Sequence, residues 1–160
     1  MIGGMRYLAL VVCVAACGSD DADVAGNYTT MVTNRDNGCN FANWTVGDNN
    51  DASVTLTQSG NDVTMTVTGL GALVLEASLG GHVYAGKVNG TTLAATLFGT
   101  RSNTTGTCTY TFNSEIHAEV HGDILTGQID YSAATDGSPD CATITNCRSF
   151  QDFNGIRPPP

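Results

Sequence analysis

Lysine is almost missing from this chain of 160 residues. Lys87 and five arginines give 6 basic residues against 15 acidic ones, for a net charge of −9. So few cations exclude a broad basic face, and with it nucleic acid as a partner. They also exclude electrostatic docking on an anionic membrane. Long hydrophobic runs are absent as well. The longest, residues 8–16 (LALVVCVAA), has nine residues, where about 20 are needed to span a bilayer as a helix. No segment sustains a 3.6-residue apolar period. No CxxC occurs, which removes the commonest zinc spacing, and no GxSxG marks a serine nucleophile. No glycine-rich turn is expected to open a helix, so no phosphate loop is read. Asp48-Asn49-Asn50-Asp51 is rich in oxygen but lacks the twelve-residue calcium loop and its terminal Glu; it reads as a polar loop. Charged residues are only 13% of the chain, yet hydrophobic ones reach 41%, enough for a core and too many for disorder.

Threonine (22) and glycine (19) are abundant, a mixture that favours strands joined by tight turns over helix. The clearest segment is residues 54–68. Val54, Leu56, Val63, Met65 and Val67 alternate with Thr55, Thr57, Thr64, Thr66 and Thr68 around Gly60-Asn61-Asp62. Strict period-two alternation about such a turn is a β-hairpin with one core face and one wet face. Further alternating runs follow. They are Leu73/Leu75/Ala77/Leu79, residues 83–88, Leu93/Ala95/Leu97, Cys108/Tyr110/Phe112, Ile116/Ala118/Val120 and Leu125/Gly127/Ile129/Tyr131. An early strand is expected at 28–33.

These runs predict an all-β fold: an antiparallel meander of eight or nine strands, with an up-and-down, calycin-like barrel favoured over a two-sheet sandwich. A Greek key would need long crossovers that the short turns do not provide. The Thr rows face outward, the reverse of a transmembrane barrel. The β domain is expected over 26–148, with a long insertion at 34–52 pinned over one barrel end by Cys39, Phe41 and Trp44. Residues 149–160 end in three prolines, which cannot join a ladder, and are expected to form an extended tail.

The start of the chain carries a different signal. One positive charge, Arg6, precedes the apolar run 8–16, and small residues close it, the pattern of a secretory signal peptide. Val14-Ala15-Ala16-Cys17 resembles the lipobox of bacterial lipoproteins. The resemblance implies a signal peptide at 1–16, diacylglyceryl transfer to the Cys17 thiol, and cleavage just before it. Residues 17–25 would then be the acylated Cys and a flexible, acidic tether. The mature charge would be 5 − 15 = −10, because Arg6 is removed. Gly18, rather than Asp, follows the Cys, which by the enterobacterial sorting pattern implies the outer membrane. An ordinary signal peptide leaving Cys17 as a free thiol is the other reading. Gly38–Trp44 (GCNF–W), Gln58–Val63 (QSGNDV) and Pro139–Cys147 (PDCA–C) give the rest of the chain a resemblance to small, Cys-stapled, Thr/Gly/Asn-rich β lipoproteins of Gram-negative secretomes. That resemblance brings no activity with it.

Four cysteines remain: Cys39, Cys108, Cys141 and Cys147. An even number in an exported domain implies two disulfides, and three pairings are open. The short spacing Cys141-x5-Cys147 suggests a local clip, leaving Cys39–Cys108 as a long-range staple. His117-x-Glu119-x-His121 places three potential metal ligands on one face of a strand, ~6.5–7 Å apart in succession. They are weak candidates, since a chelate needs ligands from a neighbouring strand and a solvated face explains them as well. The Asn-x-Thr triplets at Asn27, Asn43, Asn89 and Asn103 follow from a chain rich in both residues. No catalytic constellation and no cofactor site is evident. The sequence therefore points to a lipid-anchored, non-catalytic cell-envelope protein that binds a protein or small ligand. The alternatives are a lipocalin-like carrier of a small apolar ligand and, further off, a metal-dependent enzyme.

Overall fold

The computed structural model describes residues 21–158; the expected signal peptide and Cys17 lie outside them. Among the described residues nine strands and one α-helix follow one another: β1 (Gly26–Asn37), β2 (Asn49–Ser59), β3 (Asp62–Thr68), α1 (Gly69–Leu79), β4 (Val83–Asn89), β5 (Thr92–Leu97), β6 (Asn103–Thr105), β7 (Cys108–His121), β8 (Ile124–Thr135) and β9 (Arg148–Ile156). All pairings are antiparallel. The order β5-β4-β3-β2-β1-β9-β8-β7 closes through β5–β7, giving an eight-stranded barrel with β6 as an extra strand beside β7. The expected up-and-down barrel is thus observed.

The hairpin read from sequence has the expected faces, with Asp62 already in the ladder opposite Ser59. Leu56 opposes Met65 and Val54 opposes Val67, and all four are buried while Thr57 and Thr64 are exposed. Leu93, Ala95 and Leu97 on β5, and Ile116, Ala118 and Val120 on β7, also point inward and are buried. Each large apolar side chain taken out of water in this way contributes roughly 1.5–3 kcal/mol. Gly127 lies inward on β8 opposite Ala118. A Cβ there would come within 2.7 Å of Ala118 Cα, so the close approach of β7 and β8 requires glycine.

Several expectations are corrected. Leu73, Leu75, Ala77 and Leu79 lie on α1, not on a strand. Ala, Leu and Glu are good helix formers, and this run has one β-branched residue, Val74. Its buried members, Leu75 and Leu79, are four apart, as one helix face requires. Gly80 ends the helix in the left-handed conformation, φ 84°. A glycine-rich turn, Thr68-Gly69-Leu70-Gly71, therefore does open a helix.

Residues 149–156 are not a tail. They belong to β9, which lies between β1 and β8 and closes the barrel. Ser149, Phe153 and Gly155 are its buried positions, and of the described residues after it Arg157 and Pro158 are outside the strand. Nor are residues 21–25 loose. Ala22 N–H donates to Gly90 O (2.8 Å), Gly90 N–H to Asp21 Oδ1 (2.8 Å) and Val24 N–H to Gln58 Oε1 (2.8 Å). Val24 is fully buried and plugs the end of the barrel formed by the turns at Gly60, Gly90 and Gly122. Arg157 clamps this segment, donating to Ala25 O (2.6 Å) and Asp123 Oδ1 (2.9 Å).

The disulfides also differ: Cys39 pairs with Cys147 and Cys108 with Cys141. The reason is strand order. Gly38, just after β1, donates to Arg148 O at the start of β9, which sets Cys39 beside Cys147. Cys141 lies on a 3₁₀ turn (Pro139–Thr143) bonded to the β6–β7 hairpin, where Asp140 Oδ2 accepts from Thr107 N–H (2.7 Å) and Thr107 Oγ1 (2.9 Å). Proximity in sequence did not govern the pairing; the meander did.

Candidate functional site

The barrel interior is filled. Leu56, Leu79, Leu93, Leu125, Val88 and Tyr84 are all at most 2% exposed. Polar groups inside find partners: Tyr84 Oη donates to Ser114 Oγ (3.0 Å), and Tyr131 Oη to Gln151 Oε1 (2.8 Å). Burial pushes the Tyr84 phenol up to about 12, with the Ser114 hydrogen bond opposing. One end is closed by Val24. At the other end α1 contributes Leu75 and Leu79, and the 38–48 loop folds Phe41 and Trp44 over the opening. Phe41 packs at 4.6 Å from Phe112 and 5.5 Å from Tyr131, ring centre to ring centre. Trp44 Nε1 donates to Arg35 O (2.8 Å). The two aromatics pin the loop over a barrel end as expected, but the insertion read as 34–52 is shorter, because 34–37 extend β1 and 49–52 begin β2.

Two shallow depressions lie on the outer wall. One, of about 210 Å³, follows the β1–β2 seam at Thr29, Ser53, Thr55 and Thr68. The other, of about 310 Å³, spans β5, β7, β8 and β9 and is lined by Thr92, His117, Glu119, Thr126, Gln128 and Asp152, with Gly127 at its floor.

His117 and Glu119 line this second depression, and His117, Glu119 and His121 all face solvent, as the alternation required. Their donor atoms do not converge. Among the described residues the group of three that converges within 4.8 Å is Cys108, Asp136 and Cys141, and both of those sulfurs are tied in one disulfide. Asp136 instead organises its loop. Its carboxylate accepts from the N–H groups of Ser138 and Thr109 (3.0 and 2.9 Å), which hold it below the usual carboxylate range. Glu119 accepts from the hydroxyls of Thr91 and Thr92, both at 3.3 Å. His82, on the strap after α1, bonds Glu76 through Nδ1.

Two residues missed from the sequence join His117. Its Nε2 lies 3.8 Å from Glu115 Oε2 and 3.9 Å from Asp130 Oδ2. Glu115 and Asp130 stand directly opposite across the β7–β8 ladder, and Asp130 has Phe150 opposite it on its other side. The Asp130 side chain is 15% exposed, and its Oδ1 is buried without a hydrogen-bond partner. Burial raises its affinity for a proton above the ordinary carboxylate value, with His117 and Arg148 opposing and Glu115 adding to the rise. Alternation put both carboxylates on the outer face, but only the register places them opposite each other.

The apolar surface gathers elsewhere. Leu70, Leu73 and Val74 on the outward face of α1 are 80%, 66% and 65% exposed, and Phe98 is 73% exposed. This end of the barrel is the one opposite Asp21.

No protein-family model matches the chain, and no curated protein does. A solved structure of EF1p2_mFAP2b bound to DFHBI is similar at a TM-score of 0.49 and 11% identity, over 88% of this chain and 99% of that one. At that level the likeness carries no argument about a ligand for this chain.

Proposed function

We propose that the protein is exported, anchored in the outer membrane through acylated Cys17, and acts there without catalysis by binding a protein or small ligand. The observation that carries this reading is the placement of Asp21. It is fixed to Gly90 at the hairpin end, four Cα steps from Cys17, so the anchor is at most ~14 Å away. A lipidated Cys17 would stand the barrel on its hairpin end. The α1 end, with exposed Leu70, Leu73 and Val74, would then face away from the bilayer, free for a partner. Two or more acyl chains make such anchoring stable. The carrier reading draws less support, because the interior is packed with side chains.

Mass spectrometry of membrane-extracted protein tests the anchor. The expected product begins at acylated Cys17, and a Cys17→Ser variant leaves the membrane fraction. An unmodified, soluble wild-type product overturns the reading. Pull-downs from envelope extracts then test binding, comparing wild type with Leu73→Asp. A specific protein lost with Leu73→Asp supports the protein-partner form. A small molecule retained by both in native mass spectrometry supports the small-ligand form, and nothing retained in either assay removes the binding role.

A further inference from the structure

We propose that Glu115, His117 and Asp130 form a site for a divalent transition metal of the zinc class on the outer wall of the barrel. The inference is independent of membrane anchoring. Three observations converge on it. First, one imidazole nitrogen lies 3.8 and 3.9 Å from two carboxylate oxygens on two strands. This is the cross-strand ligand that the row His117, Glu119, His121 lacks. Second, two carboxylates stand directly opposite on paired strands, an arrangement that like charge disfavours. Third, Asp130 Oδ1 is buried and unpartnered, a state that costs free energy unless something satisfies the oxygen. A bound cation relieves the second, and it relieves the third when Asp130 binds it through both carboxylate oxygens, since Oδ2 is the one beside His117.

The donor set selects the ion. One imidazole and two carboxylates suit zinc, copper or nickel, whereas calcium and magnesium prefer oxygen alone. Metal–ligand bonds of about 2.0–2.2 Å place tetrahedral donors roughly 3.4 Å apart. His117 is within a few tenths of an ångström of that separation from each partner. Glu115, His117 and Asp130 are not already drawn together as Cys108, Asp136 and Cys141 are, so a gap remains to be closed. The Glu115 side chain, 46% exposed, is free to close that gap, while Asp130 is held by its neighbours. β7–β8 is a continuous ladder from Tyr110↔Thr135 to His121↔Ile124, so the backbone under the ligands is rigid. The adjoining depression leaves the remaining coordination position open to water or a small anion.

Thermal unfolding of the disulfide-bonded protein with and without ZnCl₂ at pH 7.5 tests the site. Zinc in tenfold excess at micromolar protein is expected to raise the wild-type Tm by at least ~3 °C. His117→Ala abolishes the rise, and Glu115→Gln weakens zinc binding at least tenfold by calorimetry. Asp130→Asn also abolishes the rise while keeping or increasing the metal-free Tm, because it removes the partly buried charge that faces Glu115 across the ladder. That combination separates loss of a ligand from loss of the fold. His121→Ala keeps the full rise. The proposal is overturned if zinc leaves the wild-type Tm unchanged, if the rise survives in His117→Ala and Asp130→Asn, or if His121→Ala removes it.

Discussion

Tyr84 on β4 reaches across β5 to donate a 3.0 Å hydrogen bond to Ser114 on β7, and both residues are at most 1% exposed. Each is the other's partner in an apolar interior. Ser114→Ala leaves a buried phenol hydroxyl unsatisfied and is expected to cost about 1–3 kcal/mol in urea unfolding. The double variant Tyr84→Phe/Ser114→Ala removes both polar groups and should recover much of that loss. If the double variant is as unstable as the sum of the two single ones, the pair is not coupled.

The same burial predicts alkaline sensitivity. The Tyr84 phenol is raised from 10.0 to about 12 in the fold, and Tyr131 is raised well above 10.0, also by burial. The folded state keeps a proton that the unfolded chain loses above pH ~10. Stability is therefore fully present below that pH and falls above it, by up to ~1.4 kcal/mol per pH unit for each buried phenol. Urea midpoints from pH 8 to 11.5 check the onset. Tyr84→Phe should flatten the decline, and an unchanged slope in that variant would assign the loss elsewhere.

β7 offers a test of facing. Val120 is 3% exposed and His121 lies on the outer face. Val120→Asp buries an unpaired carboxylate and should destabilise by several kcal/mol. His121→Ala should change stability by no more than about 0.5 kcal/mol. Tolerance of Val120→Asp in thermal unfolding would mean the register is shifted by one residue.

Non-reducing peptide mapping should recover Cys39–Cys147 and Cys108–Cys141 peptides. The first bridge closes a separation of 108 residues and the second one of 33. On the chain-entropy model these are worth about 4.8 and about 3.7 kcal/mol. Removing the first pair as Cys39→Ala/Cys147→Ala should therefore lower stability more than Cys108→Ala/Cys141→Ala. A Cys141–Cys147 peptide would contradict the strand order around β9.

The legible parts of this molecule are local. Val54, Leu56, Val63, Met65 and Val67 declare a hairpin because alternation and turn chemistry act within a few residues. The α1 segment misleads for the same reason: Leu73, Leu75, Ala77 and Leu79 satisfy a period of two and also supply Leu75 and Leu79 at helical spacing. β9 was hidden because Gln151 and Asp152 interrupt its apolar alternation between Ser149 and Phe153, and because its partner β1 lies more than a hundred residues away. The candidate site was half visible. His117 stood out by its chemistry, whereas Glu115 and Asp130 looked like ordinary outer-face acids.

The sequence by itself determined the class of the fold and the inward and outward faces of most strands. These follow from side-chain alternation and composition, which need no knowledge of neighbours. Tertiary structure decided the disulfide pairing, the capture of residues 149–156 as the closing strand, the plugging of one end by Val24, and the meeting of His117 with Glu115 and Asp130. Each of these depends on which strand lies beside which and in what register. Register is a property of backbone hydrogen bonds between distant segments, and it leaves no mark on either segment alone.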